Sequence, residues 1–339
     1  VAAGTLLVFL YTISDFGAVQ LMRYDTLARS IFTAQLADQS AALALSLILL
    51  VLAGVIVAFE RLFSRAKFTA DEALVGEPIQ YSLGKWRFPA IGFVSLTFLL
   101  SVGAPLLALG DWATDGLLRT TRGGYPLTID REQVWESTWN TFSISVLAGI
   151  VAVLAILPIA FLIARYKSRI GSIAHSIIIA TFALPGILIA LAMRFWTLRS
   201  DWAYDLVNNT EVLLIFAYIV RFGSLAMGIL LVAVSAVPKR LHEAGKILGV
   251  NRISRFARID LPIMAPGLGA AAGLVILSTM KELPITLLIS PLGFSTLATR
   301  IFSSFEDAFV AEAGIMALIL VGLSSILTWF LVIRRSDHL

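Results

Sequence analysis

Apolar residues occur in eight long stretches, each close to the length of a membrane span and separated by polar segments. The stretches lie near residues 1–22, 41–59, 88–109, 138–164, 173–193, 212–234, 264–290 and 312–333. A helix needs about 20 apolar residues to cross the hydrocarbon core of a bilayer. The pattern therefore predicts an all-α bundle of eight spans. Spans that contain Leu184-Pro185-Gly186 and Leu283-Pro284 are expected to be broken at those residues.

The composition agrees with a lipid environment. Of the 339 residues, 58% are apolar and only 14% are charged, whereas a soluble domain has about 25% charged residues. The chain has no cysteine, and its three histidines are far apart in sequence. We therefore predict a polytopic membrane protein with no metal site, no cofactor, no catalytic residue and no nucleic-acid partner.

Basic residues indicate how the chain crosses the membrane. If residue 1 starts on the cytoplasmic side, sixteen Lys and Arg residues fall in cytoplasmic segments and eight in outer segments. Cytoplasmic loops carry an excess of basic residues in membrane proteins. The bias predicts that both ends of the chain are cytoplasmic, as an even number of spans requires.

The two ends of the chain contain short matches in the same order. They pair residues 2–4 with 271–273, Asp15 with Glu282, 26–28 with 296–298, and 31–32 with 301–302. The matches predict three units: the last two spans of a first repeat (1–60), a cytoplasmic linker (61–87) and a second repeat of six spans (88–339). About four further spans are expected upstream, in a parent of roughly twelve.

One polar loop, residues 237–262, has features that a plain connector lacks. Its sequence is VPKRLHEAGKILGVNRISRFARIDLP. Pro238 suits the first turn of a helix, Gly249 suits a helix stop, and Asn251 can cap a second helix. We predict two short amphipathic helices at a right-angle turn on the cytoplasmic face. The alternative is an ordinary interfacial helix whose arginines reach the lipid headgroups.

The spacing within this loop resembles that of a known family. Glu243-Ala244-Gly245, three residues, Gly249, nine residues, Ile259, one residue and Leu261-Pro262 resemble the EAA loop of binding-protein-dependent ABC importer permeases. Gly245 stands where that pattern has a second alanine, and the residue stays small. We refer to residues 237–262 as the EAA-like loop.

The resemblance implies a type I ABC importer permease fold and a role for the loop. In that family the loop is a coupling helix that sits in a groove of a cytoplasmic ATP-binding subunit, of which two are expected. By this analogy Glu243 contacts that subunit, Gly249 forms the turn, and Arg252 and Arg255 flank the contact. The chain contains no Walker A sequence, so ATP hydrolysis is expected from the partner and not from this chain.

Other stretches resemble the fused two-repeat permeases of ferric-iron importers. These are residues 14–18, 23–26, 281–284 and 291–298. The resemblance implies import of ferric iron handed over by a periplasmic binding protein across the bacterial inner membrane. Thiamine and phosphonate permeases are built similarly and stay open as alternatives. An ion-driven secondary transporter is a further alternative, against which the EAA-like loop argues.

Four ionisable residues fall in or beside apolar spans: Asp15, Arg221, Lys281 and Glu282. Charges at membrane depth are costly unless they face a polar cavity or a partner. Two interpretations follow, namely that these side chains line the translocation path, or that they pair with one another and fix helix packing.

Overall fold

The fold is predominantly helical in the residues that the computed structural model describes. The described residues are 12, 15–63, 84–118, 121–122, 125–126, 129–166, 168–182, 184–238, 240–241, 243, 247 and 249–333. Among them, the one β-ladder is an antiparallel pairing of Thr121–Arg122 with Tyr125–Pro126. The all-α prediction is confirmed.

In the first part of the chain, five α-helices have both ends within the described residues. They are α1 (Gly17–Leu21), α2 (Leu27–Ala37), α3 (Gln39–Phe63), α4 (Arg87–Phe98) and α5 (Ala104–Leu118). A 3-10 turn, Gly84–Trp86, precedes α4, and a five-residue π-helix, Leu99–Gly103, joins α4 to α5.

Ten further α-helices follow among the described residues. They are α6 (Arg131–Ala164), α7 (Arg169–Phe182), α8 (Gly186–Arg199), α9 (Asp201–Val207), α10 (Glu211–Ser235), α11 (Arg252–Arg255), α12 (Leu261–Met280), α13 (Pro284–Ile289), α14 (Leu297–Glu306) and α15 (Val310–Thr328). π-Helical segments Phe256–Asp260 and Trp329–Ile333 precede α12 and follow α15.

Side chains fix where several of these helices begin. The Asp38 carboxylate accepts hydrogen bonds from the Ser40 hydroxyl and backbone N–H, 2.5 and 2.9 Å away, at the start of α3. These hydrogen bonds favour the charged form of Asp38 and therefore lower its pKa. The bond from the Ser40 hydroxyl contributes most to this lowering. Asp130 caps α6 in the same way by accepting from the backbone N–H of Glu132.

Within the described ranges, six helices or continuous helical runs are long and apolar enough to cross a membrane. They are Gln39–Ile56, Gly84–Leu117, Arg131–Ala164, Glu211–Ser235, Ile253–Met280 and Val310–Leu331. A seventh candidate is the bent pair formed by α7 and α8. These seven correspond to the second to eighth predicted spans, whereas most of the first, 1–22, lies outside the described residues.

Both expected breaks are present, and they correct the predicted spans. The stretch 173–193 is not one straight helix, because α7 and α8 meet at an angle of 112° just before Gly186. The stretch 264–290 is interrupted between Met280 and Pro284. Proline lacks a backbone N–H and disfavours helical geometry in the residue before it.

Helical structure overlaps both ends of the predicted linker 61–87. Helix α3 continues to Phe63, and helical structure resumes at Gly84. The apolar run of α3 carries the helix past the polar residues at 60–61. Residues 64–83 lie outside the described residues.

Helices α6, α10 and α12 pack against one another and form the centre of the core. Their contacts rely on small residues, as is common between membrane helices. A Cβ atom added at Gly149 of α6 would lie 2.9 Å from the backbone oxygen of Ala272 and 2.6 Å from Ile276 Cγ1. The two helices can therefore approach this closely only because residue 149 has no side chain.

We predict that Gly149→Ala destabilises the protein by about 1–3 kcal/mol, the usual cost of overpacking a core. The obstacle is partly backbone, so a change of side-chain rotamer cannot relieve it. The matched control is Gly228→Ala in α10, where an added Cβ would meet nothing within 4 Å. Thermal unfolding in detergent should show a lowered midpoint for the first variant and no loss for the second. Equal midpoints would contradict the packing argument.

Candidate functional site

A partly buried arginine joins the two broken spans. Arg221 lies in α10, and its Nε atom is 3.3 Å from Glu282 Oε2, in the break between α12 and α13. Its Nη1 atom donates to the backbone oxygen of Leu184, 3.3 Å away, in the break between α7 and α8. Breaks at membrane depth need such partners, because the hydrocarbon offers none to freed backbone groups.

Glu282 is held by more than this ion pair. Its side chain is only 7% exposed, and Oε1 accepts from the backbone N–H of Ile285 at 3.4 Å. The Thr286 hydroxyl donates to the Glu282 backbone oxygen at 2.7 Å. Tyr218 Oη lies 2.6 Å from Thr286 Oγ1 and donates to it, since the Thr286 proton is already used. The break therefore has a connected set of polar contacts with α10.

Gly186 permits the close approach of the charged pair to α8. A Cβ atom added at this first residue of α8 would lie 2.6 Å from both Arg221 Nη1 and Glu282 Oε1. The sequence indicated a chain break at Pro185-Gly186. It gave no sign that the glycine also lies directly against two charged side chains.

The four predicted membrane charges lie around one small cavity of about 100 Å³. Its lining comprises Asp15, Phe16, Gly17, Arg221, Lys281, Glu282, Leu283 and Pro284. A Cβ added at Gly17 would lie 3.6 Å from Leu283 Cδ2, so the segments around residues 16 and 283 face each other. The repeat alignment paired Asp15 with Glu282, and both line this cavity. Pairing with Arg221 and lining a cavity are therefore compatible roles for Glu282.

Matching positions of the predicted repeats have similar local structure. Thr26 caps α2 by accepting from the Arg29 N–H at 3.3 Å. Thr296 caps α14 by accepting from the Thr299 N–H at 3.4 Å. The Phe16 ring also packs between two further rings that the repeat alignment pairs. Its centroid is 5.0 Å from that of Phe32 and 6.2 Å from that of Phe302. The division into repeats stays a prediction.

The EAA-like loop has the predicted turn. Gly249 has a φ of +70°, in the left-handed region that favours glycine. The Asn251 side chain accepts from the Ser254 N–H at 2.6 Å, the predicted cap of the following helix. Before the turn, Glu243 and Ile247 have helical backbone and are exposed. Ala244 and Gly245 lie outside the described residues, as does the side chain of Arg252.

The part of the loop after the turn differs from the prediction. It is not a separate short helix, because α11, the π-helix Phe256–Asp260 and α12 form one helical run. Arg255, Ile259, Leu261 and Pro262 all belong to that run. Pro262 lies in the first turn of α12 and leaves the Arg258 carbonyl without its i+4 donor. The wider π-helical turn just before Pro262 keeps the helix continuous.

A family model matches this chain over residues 156–335, more than half of its length. The family is described as binding-protein-dependent transport system inner membrane components. The matched region contains the EAA-like loop, Arg221 and both broken spans. The chain belongs to this family of multi-pass membrane proteins.

Individual relatives show further similarity. The chain is 29% identical to the Fe(3+)-transport system permease protein FbpB 2 of Haemophilus influenzae over 96% of its own length and 64% of that protein. It is 20% identical to the putative 2-aminoethylphosphonate transport system permease protein PhnV of Salmonella typhimurium, over 57% of this chain and 72% of that one. Among solved structures, this chain is similar to the inward-facing MetNI methionine ABC transporter, with a TM-score of 0.48 and 17% sequence identity. The similarity covers 60% of this chain and 95% of that chain.

We predict that Glu282→Gln lowers the free energy of unfolding by about 3–5 kcal/mol, because it leaves the partly buried Arg221 charge unpaired. Replacing both partners in Arg221→Met/Glu282→Met should recover most of this loss. The control is Asp25→Asn, which removes the ion pair between Asp25 and Arg29. The Asp25 side chain is 90% exposed, so this substitution should change the free energy of unfolding little. Thermal unfolding of the native protein, Arg221→Met, Glu282→Met and the double variant measures the coupling between the two side chains. Additive effects of the two single substitutions would show that the pair does not contribute to stability.

Proposed function

We propose that this chain is the permease part of an ATP-driven importer that moves ferric iron, received from a periplasmic binding protein, across the bacterial inner membrane. The observation that carries the proposal is the EAA-like loop, with its left-handed Gly249 turn and Asn251 cap. Membership of the family of binding-protein-dependent inner membrane components supports the same class. The similarity to a ferric-iron permease over nearly the whole chain supports the cargo.

The exposure of the loop suits binding to an ATP-binding subunit. Val237 and Asp260, near its two ends, are 1% and 4% exposed. Ile247 and Ile253, on either side of the turn, are 86% and 82% exposed. Exposed apolar side chains on a polar segment are typical of a protein-binding surface. In the proposal, this surface lies on the cytoplasmic face and contacts one of two ATP-binding subunits.

The cavity near Arg221 is the proposed part of the translocation path. Transport sites are commonly formed where broken helices meet near the middle of the membrane. Here two breaks meet at Arg221, and Asp15 and Lys281 extend the polar lining beyond the Arg221–Glu282 pair. We propose that the pair closes the path in this conformation, and that its separation accompanies the change between inward- and outward-facing states.

A second candidate cargo is a phosphonate. PhnV, whose name gives 2-aminoethylphosphonate as its cargo, shares similarity over 57% of this chain. The cavity lining has two basic and two acidic side chains, so its charge does not favour a cation over an anion. Thiamine import and an ion-driven mechanism are further alternatives that uptake measurements separate.

We predict that Gly249→Val weakens association with the ATP-binding subunit and reduces ATP-driven uptake. A β-branched residue is strained at positive φ. The matched control is Gly249→Asn, because asparagine tolerates the left-handed region far better. An added Cβ at residue 249 meets nothing within 4 Å, so the two variants differ in backbone strain and not in crowding. Co-purification of the ATP-binding subunit is the measurement, and full retention by the valine variant would contradict the assignment.

We predict that cells carrying the complete transporter accumulate radioactive ferric iron, and that excess 2-aminoethylphosphonate or thiamine does not compete. Uptake should be lost when the Walker A lysine of the ATP-binding subunit is replaced. Iron uptake that persists without ATP hydrolysis would indicate an ion-driven transporter. ATP-dependent uptake of the phosphonate in place of iron would preserve the importer class and correct the cargo.

A further inference from the structure

The EAA-like loop is attached at its first end to the end of α6. Arg165 directly follows α6, and its Nη2 atom donates to the backbone oxygens of Val234 and Val237, 2.9 and 2.5 Å away. The residue four positions after Val234 is Pro238, which has no N–H with which to complete the α10 hydrogen-bond pattern. Arg165 supplies the missing donor, and a cation is also favourable at a helix C-terminus.

The other end of the loop packs one turn earlier on the same helix. The Phe161 ring centroid lies 6.0 Å from that of Phe256, the first residue of the π-helix that leads into α12. Phe161 and Arg165 are four residues apart, so they lie on one face of α6. That single face therefore holds both the entrance and the exit of the loop.

The opposite end of α6 holds a second segment by hydrogen bonds. Asn140 Nδ2 donates to the Ser295 backbone oxygen at 3.1 Å, and Thr141 Oγ1 accepts from the Leu297 N–H at 2.7 Å. The hydroxyls of Ser137 and Ser295 are 3.1 Å apart. We call residues 291–297, which lead into α14, the α14 entry segment. The first turns of α6 hold the second half of this segment, whereas the Leu292 N–H in its first half donates to Asn209 Oδ1, 2.6 Å away.

Between these two sets of contacts one face of α6 is deeply buried. Its residues Ala148, Ala152, Ile156 and Ala160 are all at most 3% exposed. From Thr141 to Arg165 the helix rises about 36 Å, at 1.5 Å per residue. Pro158 interrupts the helical hydrogen bonds only near the loop end. A long, densely packed helix of this kind transmits displacement along its axis with little bending.

We propose that α6 is the strut that carries movement of the EAA-like loop to the α14 entry segment, and that Arg165 is the positioning residue that connects the loop to the strut. The inference rests on the proposed function, because it takes the loop as the part that an ATP-binding subunit moves. Arg165 itself contacts neither cargo nor nucleotide in this scheme. It acts through the carbonyl groups at the end of α10.

The absence of cysteine from the chain permits a direct test with single labels. Arg240→Cys reports on the loop from outside the apolar surface proposed to bind the ATP-binding subunit, and Leu292→Cys reports on the α14 entry segment. Both native side chains are exposed. Each variant carries a polarity-sensitive fluorophore and is assembled with its ATP-binding subunits in nanodiscs. Addition of ATP with orthovanadate should then change the emission of both labels.

If α6 acts as this strut, adding Arg165→Ala to each labelled variant should abolish one of the two fluorescence responses and leave the other. The label at residue 240 should still respond, because nucleotide still moves the loop, whereas the response at residue 292 should disappear. Arg165→Lys, which keeps a charged donor, should restore part of the second response. The control Arg169→Ala removes an exposed positive charge four residues away and should leave both responses intact.

Two outcomes overturn the strut alone. In the first, Arg165→Ala leaves the response at residue 292 unchanged, so movement reaches the α14 entry segment by another route. In the second, the response at residue 240 is also lost, so Arg165 merely holds the loop in its fold. If neither label responds in the chain with native Arg165, the proposed ATP-driven function fails, and the inference fails with it.

Discussion

Backbone groups at membrane depth must find partners inside the protein, and the architecture follows from how this chain meets that requirement. An unbroken helix satisfies its own backbone, so most spans need only apolar packing. The two broken spans cannot do this, and both depend on Arg221, which reaches the Leu184 carbonyl on one side and Glu282 on the other. The same polar contacts that make the breaks tolerable also produce a polar cavity in an apolar bundle.

The same requirement explains the two ends of α6. Pro238 leaves the last turn of α10 short of a donor, and Arg165 supplies it. At the other end of α6, short polar side chains such as Thr141 satisfy backbone groups just before α14. Between them the helix has a close-packed face of small residues. The hydrogen bonds that satisfy these backbone groups thus connect α6 to the end of α10 and to the segment before α14, which are distant in sequence.

Local signals in the sequence predicted the helical class, the breaks and the Gly249 turn, because each depends on a few neighbouring residues. Apolar stretches of span length, Pro185 and Pro284 at the breaks, and Asn251 as a cap are effects of this kind. The continuous run from Arg252 to Met280 was missed, since proline after a short polar segment usually indicates a helix boundary. The π-helix that preserves the run has no simple sequence signature.

The sequence predicted which residues belong to the candidate site but not how they are arranged. Asp15, Arg221, Lys281 and Glu282 were identified because charge is costly in an apolar span. That Arg221 pairs with Glu282, and that Asp15 lies across the same cavity, depends on contacts between segments far apart in the chain. Arg165 was counted only as one of the basic residues that set orientation. Its partners are backbone oxygens, which every residue has, so the sequence does not identify them.

The contact of Gly186 with the charged pair has a consequence for how this family can diverge. A side chain at residue 186 would occupy space now filled by Arg221 and Glu282. Substitutions at residues 186, 221 and 282 are therefore expected to depend on one another. A descendant that loses Glu282 is expected to lose Arg221 as well, and only then can a larger residue replace the glycine. Among aligned relatives, glycine at this position should accompany the ion pair, and alanine or larger residues should occur where both charges have become apolar.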